Sequence, residues 1–220
     1  MWVAGVDEAG RGCVIGPLVV AGVLVAEENL HALSQLGVKD SKLLSPKKRE
    51  ALFVEIEELA DKRHVMKLSP SEIDRAVESH RKLHKLNRLE AQAMAQVINF
   101  LKPDEAYVDA ADVVEERFKH HIQEGLTVKA KITSKHKADK IYPVVSAASI
   151  VAKVERDREI AALRVTYGDF GSGYLTDKKT MIFLKRWLQT HVEYPSCVRK
   201  SWKPARQAKN EKGSVQKKLV

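Results

Sequence analysis

The chain opens on an apolar run that ends in two adjacent acids and passes at once into a glycine-flanked arginine: Met1-Trp2-Val3-Ala4-Gly5-Val6-Asp7-Glu8-Ala9-Gly10-Arg11-Gly12. That order predicts a buried strand with carboxylates at its end. A loop follows whose backbone can approach a ligand closely, because glycine has no Cβ in the way. A strand end presenting acid beside base suits a metal ion holding a phosphate.

The 220 residues suffice for one domain with an appendage, or two small domains. Hydrophobic residues make up 44% of the chain, enough for a substantial core. No apolar run reaches the roughly 18 residues that span a bilayer; the longest, Val14 to Ala26, is broken by Gly16, Pro17 and Gly22. The first residues lack the basic stretch of a signal peptide. Cys13 and Cys197 are too few for a disulfide framework, and free thiols in a cytoplasmic protein are expected. Net charge is +9, and eight Lys/Arg against one acid fall between Arg199 and Val220. The C-terminus is thus a basic arm on a nearly neutral body, a distribution that favours a polyanion through counterion release.

Strands are expected at Val3–Val6, Leu18–Val25, His64–Leu68, Glu105–Val108 and Leu126–Ile132. Ser45-Pro46 starts a helix, with Ser as N-cap and Pro at the first helical position. Ser69-Pro70-Ser71-Glu72 is a capping box opening another. Leu86, Leu89, Ala93, Val97 and Leu101 recur at helical spacing until Pro103. A long helix follows Pro143, its first turns lined by Ser146, Ala147, Ala148 and Ser149, small enough to lie close on a sheet. A further helix runs from Thr176-Asp177 to about Gln189, and a flexible tail is expected beyond Ala205. The pattern predicts an α/β core over residues 1–165, a C-terminal helical part over 166–204 and a basic tail over 205–220.

Acids fall where catalysis could use them: Asp7 and Glu8 at the first strand end, Asp109 after Tyr107-Val108, and Asp139 before the Pro143 helix. Adjacent strand positions point to opposite faces, so Asp7 and Glu8 can share one metal only if the strand ends between them. Hard oxygen ligands without a His/Cys set favour Mg²⁺ or Mn²⁺ over zinc. Two such ions can activate a water and stabilise the leaving oxygen of a phosphodiester. Asp112 reads better as the N-cap of the segment that follows it. Gly10, Gly12 and Gly16 have the wrong spacing for a dinucleotide loop. His191-Val192-Glu193 with Pro195-Ser196-Cys197 resembles a zinc deaminase signature but lacks its cysteine pair.

Taken together, these blocks resemble the type 2 ribonucleases H, the ribonuclease HII family, most closely its single-chain archaeal form. The resemblance rests on Asp7-Glu8-Ala9-Gly10-Arg11-Gly12, Asp40-Ser41-Lys42 and Tyr107-Val108-Asp109-Ala110-Ala111-Asp112. It continues through His136-Lys137-Ala138-Asp139, Ser146 to Asp157, Gly171-Ser172-Gly173-Tyr174 and Val198-Arg199-Lys200-Ser201-Trp202-Lys203, in family order to about residue 204. It implies an RNase H-like fold: a mixed five-stranded sheet flanked by helices, with a C-terminal helical extension. It implies hydrolysis of RNA in RNA/DNA hybrids, and incision 5′ of single ribonucleotides in duplex DNA, leaving 3′-hydroxyl and 5′-phosphate ends.

By the same resemblance Asp7, Glu8, Asp109 and Asp139 are the metal-binding carboxylates, holding two divalent ions, Mg²⁺ or Mn²⁺. Gly10, Arg11 and Gly12 sense the 2′-hydroxyl, and Tyr174 packs on the neighbouring sugar. Leu175 stands where many members carry proline. Lys42, Lys153, Arg199 and Lys200 are candidate phosphate contacts, which position a duplex without reading its sequence. A monomer is expected, with no membrane association. Gln216-Lys217-Lys218-Leu219-Val220 resembles the start of a sliding-clamp-binding motif cut short of its aromatic anchors. Two other readings compete: a structure-selective DNA nuclease on the same fold, and a non-catalytic nucleic-acid-binding protein using the basic arm.

Overall fold

Strands β1 (Trp2–Ala9), β2 (Leu18–Ala26), β3 (Lys62–Leu68), β4 (Glu105–Asp109) and β5 (Lys131–Lys135) form one mixed sheet in the order β3-β2-β1-β4-β5. The computed structural model describes residues 1–38, 44–79 and 85–217, with side chains through residue 210. β1 is the central strand. It pairs antiparallel with β2 and parallel with β4, Val6 facing Val108, and β4 in turn pairs parallel with β5. This is the mixed five-stranded sheet with flanking helices that the family resemblance implies.

The helices are α1 (Leu30–Gln35), α2 (Pro46–Leu59), α3 (Pro70–Glu78), α4 (Lys85–Leu101), α5 (Glu115–Gln123), α6 (Ala138–Ile141), α7 (Pro143–Tyr167), α8 (Lys178–Thr190) and α9 (Lys203–Lys217). Their starts follow local chemistry. Ser45 Oγ accepts the Lys48 N–H at the head of α2. At α3, Ser69 Oγ accepts from the Glu72 N–H while the Glu72 carboxylate accepts the Ser69 N–H, the complete capping box. Asp177 caps α8 through the Lys179 N–H.

The chain divides into two compact units. One comprises residues 1–9, 19–67 and 82–155, the other 10–18, 68–81 and 156–220. The chain thus enters the second unit three times, where the sequence suggested serial boundaries near 165 and 204. In the first unit, Val3, Gly5, Asp7 and Ala9 share one face of β1 by strand alternation. Val3 and Ala9 there join a core with Val144, Ala147, Ala148 and Val151 of α7. A Cβ on Gly5 would lie 2.2 Å from the Val144 carbonyl carbon, so the glycine is what lets α7 sit directly on the strand. On the opposite face of the sheet, a Cβ on Gly22 of β2 would meet Val97 of α4 at 2.4 Å. The second unit has its own core, built on Val14, Ile15, Phe170, Leu184 and Val198.

Three expectations are corrected. The fifth strand is Lys131–Lys135, not Leu126–Ile132. Leu126 is instead turned back on Gln123, and the Thr127 N–H is taken by the Asn99 side chain, so pairing with β4 starts only at Lys131. Asp112 is not an N-cap: α5 is preceded by Val114, and Asp112 braces the segment by accepting from Val114 N–H and Arg117. Beyond Ala205 the chain is helical to Lys217 rather than a loose tail. Among the described residues no helix is long and apolar enough to cross a membrane.

Candidate metal centre and ribose-reading elements

Asp7 lies on the β1 face covered by α7. β4 runs parallel beside β1, and its own alternation puts Asp109 with Tyr107, whose ring stacks on Tyr142 just ahead of α7. Asp139 enters from α6, a single turn between β5 and α7. Ligand atoms of Asp7, Asp109 and Asp139 lie within 4.8 Å of one another. Three acids distant in sequence are therefore brought to one point by a parallel strand pair and one helical turn.

Local bonds fix each of them. Asp7 Oδ1 accepts the Glu8 N–H at 2.7 Å. Asp109 Oδ1 accepts the Ala138 N–H at 3.0 Å, joining β4 to the head of α6. The backbone carbonyl of Asp139 accepts a bond from the Ser146 hydroxyl. Asp7 and Asp139 are buried, Asp109 half-buried. Burial pushes the Asp7 carboxyl above its ordinary range, and the Asp139 charge adds to that. The Lys153 ammonium, a Ser149 hydrogen bond and the Glu8 N–H pull it back down. Lys153 in turn donates to Ser149. Lys153 thus stands beside Asp7 as a balancing cation.

Glu8 is not among the three converging acids. β1 continues unbroken through Ala9, with Glu8 opposite Val20, so Glu8 takes the strand position facing away from Asp7. The condition that would let both acids share one ion, a strand end between them, is not met.

The buried set of three carboxylates suits a hard divalent cation. All donors are oxygen, the geometry is compact, and like charges this close repel unless a cation lies among them.

The second unit holds the elements expected to read the ribose. Gly10 takes a φ of +87°, and a Cβ there would meet Arg156 and the Pro17 carbonyl at 2.8 Å, so only glycine fits. Gly12 is exposed, with open space where its Cβ would be. Tyr174 forms an isolated bridge with Cys13 and keeps its ring partly exposed. The Arg156 guanidinium lies over that ring, 4.7 Å from its centre, and donates to Cys13 Sγ and the Ser172 carbonyl. Burial pushes the Tyr174 hydroxyl up to about 12, so it stays protonated.

Of the four expected phosphate contacts, Lys200 is exposed, its N–H held by Asp74. Lys153 lies by Asp7. Lys42, with Asp40 and Ser41, lies outside the described residues. Arg199 is fully buried and donates to backbone carbonyls, so it is not placed to touch a phosphate. Sequence reasoning also passed over Arg156 and Asp74, which hold Tyr174 and the Lys200-Ser201 turn. Only the place of Arg156 within a matched block, and of Asp74 two residues after a capping box, could have signalled them. Cys13 and Cys197 are both buried and free.

The model of the family described as ribonuclease HII matches residues 4–205. A ribonuclease HII of Pyrococcus abyssi is 47% identical over 208 residues, covering 94% of this chain and 90% of that protein. The crystal structure of ribonuclease H2 from Pyrococcus horikoshii superposes with a TM-score of 0.88 at 45% identity, covering 96% of this chain and 98% of that one. The RNase HII in a PCNA:RNase HII complex from Archaeoglobus fulgidus gives a TM-score of 0.83 at 45% identity, over 92% and 96% of the two chains. With an acid cluster gathered beside its central strand and this agreement over nearly its whole length, the chain belongs to the ribonuclease HII family and is a metal-dependent endoribonuclease of the ribonuclease H type.

Proposed function

We propose that the protein cuts the RNA strand of RNA/DNA hybrids and incises duplex DNA 5′ of single embedded ribonucleotides, leaving 3′-hydroxyl and 5′-phosphate ends. The observation that carries this is the convergence of Asp7, Asp109 and Asp139 within 4.8 Å on a sheet whose central strand leads directly into Gly10-Arg11-Gly12. The three aspartates would hold a divalent cation, Mg²⁺ or Mn²⁺, and Glu8, on the neighbouring strand position, would reach a second ion only by bending its longer side chain back toward Asp7. When bound, two such ions supply the charge that lowers the pKa of an attacking water and stabilises the leaving 3′-oxygen. Lys153, through Ser149, offsets the negative charge at Asp7 and orients its carboxylate.

RNA differs from DNA by a hydroxyl that both donates and accepts. The Gly10-Arg11-Gly12 backbone, unobstructed at Gly12, is suited to meet that hydroxyl. Tyr174, with the Arg156 guanidinium over its ring, packs on the adjoining sugar. Lys200, and Lys42 by the resemblance, contact phosphates without reading sequence. A sliding clamp is a further partner, through the C-terminal Gln216-Lys217-Lys218-Leu219-Val220. A PCNA complex is recorded for the Archaeoglobus relative.

The test is a duplex carrying one ribonucleotide beside an identical all-DNA duplex, each with Mg²⁺, Mn²⁺ or chelator. Metal-dependent cutting only 5′ of the ribonucleotide is expected. Cutting of both duplexes would replace this reading with that of a DNA nuclease. Binding without cutting would leave a nucleic-acid-binding protein.

A further inference from the structure

Arg199 is the largest fully buried side chain among the described residues, and its guanidinium donates to three carbonyls of one loop. Nη2 donates to the Gly10 carbonyl at 2.7 Å, Nη1 to the Arg11 carbonyl at 2.8 Å and Nε to the Gly16 carbonyl at 3.1 Å. Its own N–H binds the Val14 carbonyl, and the Gly16 N–H binds the Cys197 carbonyl, so the backbone carrying the arginine is zipped to the same loop. Trp202 lies against the guanidinium at 5.1 Å.

The consequence follows from the planar trans peptide, in which C=O and N–H point in opposite directions. The Gly10 carbonyl shares its peptide with the Arg11 N–H, and the Arg11 carbonyl shares its peptide with the Gly12 N–H. Drawing both carbonyls inward therefore aims both N–H groups away from Arg199, toward the side where Gly12 is open. A planar fork with donors in several directions can hold three carbonyls at once. A lysine ammonium on a flexible stem is a point charge and cannot fix all three peptide planes.

We infer that Arg199 is a specificity-positioning residue: it orients the Gly10-Arg11-Gly12 amides as donors for a ribose hydroxyl and touches no phosphate itself. This rests on the proposal that the loop reads the 2′-hydroxyl.

The experiment compares wild type with Arg199→Lys. For each, kcat/KM is measured on the single-ribonucleotide duplex. Ki is measured for the identical all-DNA duplex as competitor, with thermal melting alongside. Arg199→Lys is expected to lower kcat/KM by about tenfold or more, the scale of losing oriented hydrogen bonds, while Ki for DNA moves less than twofold. A parallel loss in both constants, with a shallower salt dependence, would mean a phosphate contact and overturn the inference. An unchanged ratio with a lowered melting temperature would mean a purely structural role and also overturn it. Should Arg199→Lys fail to fold, Trp202→Leu keeps every donor but removes the ring beside them. A smaller fall in the same ratio is then expected, and an unchanged ratio refutes the inference. If wild type itself shows Ki equal to KM, the ribose-reading proposal has failed first and takes this inference with it.

Discussion

Replacing Asp7 with Asn should destroy activity and, in the absence of metal, make the protein more stable. Asp7 is buried with Asp109 and Asp139 inside 4.8 Å, and burial raises its affinity for a proton in the folded state. Such a group stabilises the fold below its ordinary pKa of about 4 and opposes it as pH rises past that value. At 4.8 Å, two like charges repel by about 1 kcal/mol in a water-like medium and about 3.5 kcal/mol at an effective dielectric near 20. Lys153 offsets part of this. Asn keeps the shape and can still accept the Glu8 N–H, so relief of about 1–3 kcal/mol is expected at neutral pH. For a chain of this size that raises Tm by about 2–12 °C.

The assay is thermal melting of wild type and Asp7→Asn, with chelator and with Mg²⁺, at neutral pH. Mg²⁺ should raise the wild-type Tm by linkage, about 1.4 kcal/mol at ten times Kd. The same addition should move the variant little. The two curves therefore converge or cross as metal is added. A metal-free variant that melts at or below wild type would refute the reasoning, because the acids would then not be repelling one another.

Gly5→Ala should destabilise the fold by about 1–3 kcal/mol or more in urea titration, since the new methyl must push α7 off β1 at Val144. Asp112 is held well below the usual carboxylate range by Arg117. Its contribution is present above about pH 4 and lost as pH falls below it. Asp112→Asn should cost about 1–3 kcal/mol at neutral pH, toward the lower end because Arg117 is partly exposed, and should flatten the acid limb of the stability curve. Both cysteines are buried and free, and burial pushes the Cys197 thiol up to about 11. A thiol reagent should find neither in the native protein and both in denaturant, with an intact mass showing no disulfide.

Local signals were legible in the sequence because each lies within a few residues. Ser45, Ser69-Glu72 and Asp177 cap the helices that the residue types announce. The small residues after Pro143 do mark a helix lying close on a strand, although the matching half of that contact, Gly5, gave no signal of its own. The three aspartates were legible from the resemblance, and the geometry brings them together. What local sequence does not carry is side-chain direction. Arg199 in a basic segment reads as surface charge, yet three carbonyls from a loop more than 180 residues earlier draw it fully inside. Glu8 reads as a partner of Asp7, but pleating carries it to the other face once the strand persists to Ala9. Leu126 and Val128 look like strand, so the pattern starts β5 five residues before Lys131. The Asn99 side chain that claims Thr127 cannot be foreseen from that segment.

Of the three aspartates that form the metal centre, Asp139 is the most telling, being carried on a helical turn and not on the sheet. The rate of RNA/DNA hybrid cleavage by Asp139→Asn, at saturating Mg²⁺ and with folding verified by melting, tests this most directly. A fall of about a thousandfold or more is predicted, the scale on which lost electrostatic stabilisation shows in turnover. A folded variant that retains a rate within about tenfold of wild type would contradict the assignment of these acids as the catalytic metal centre.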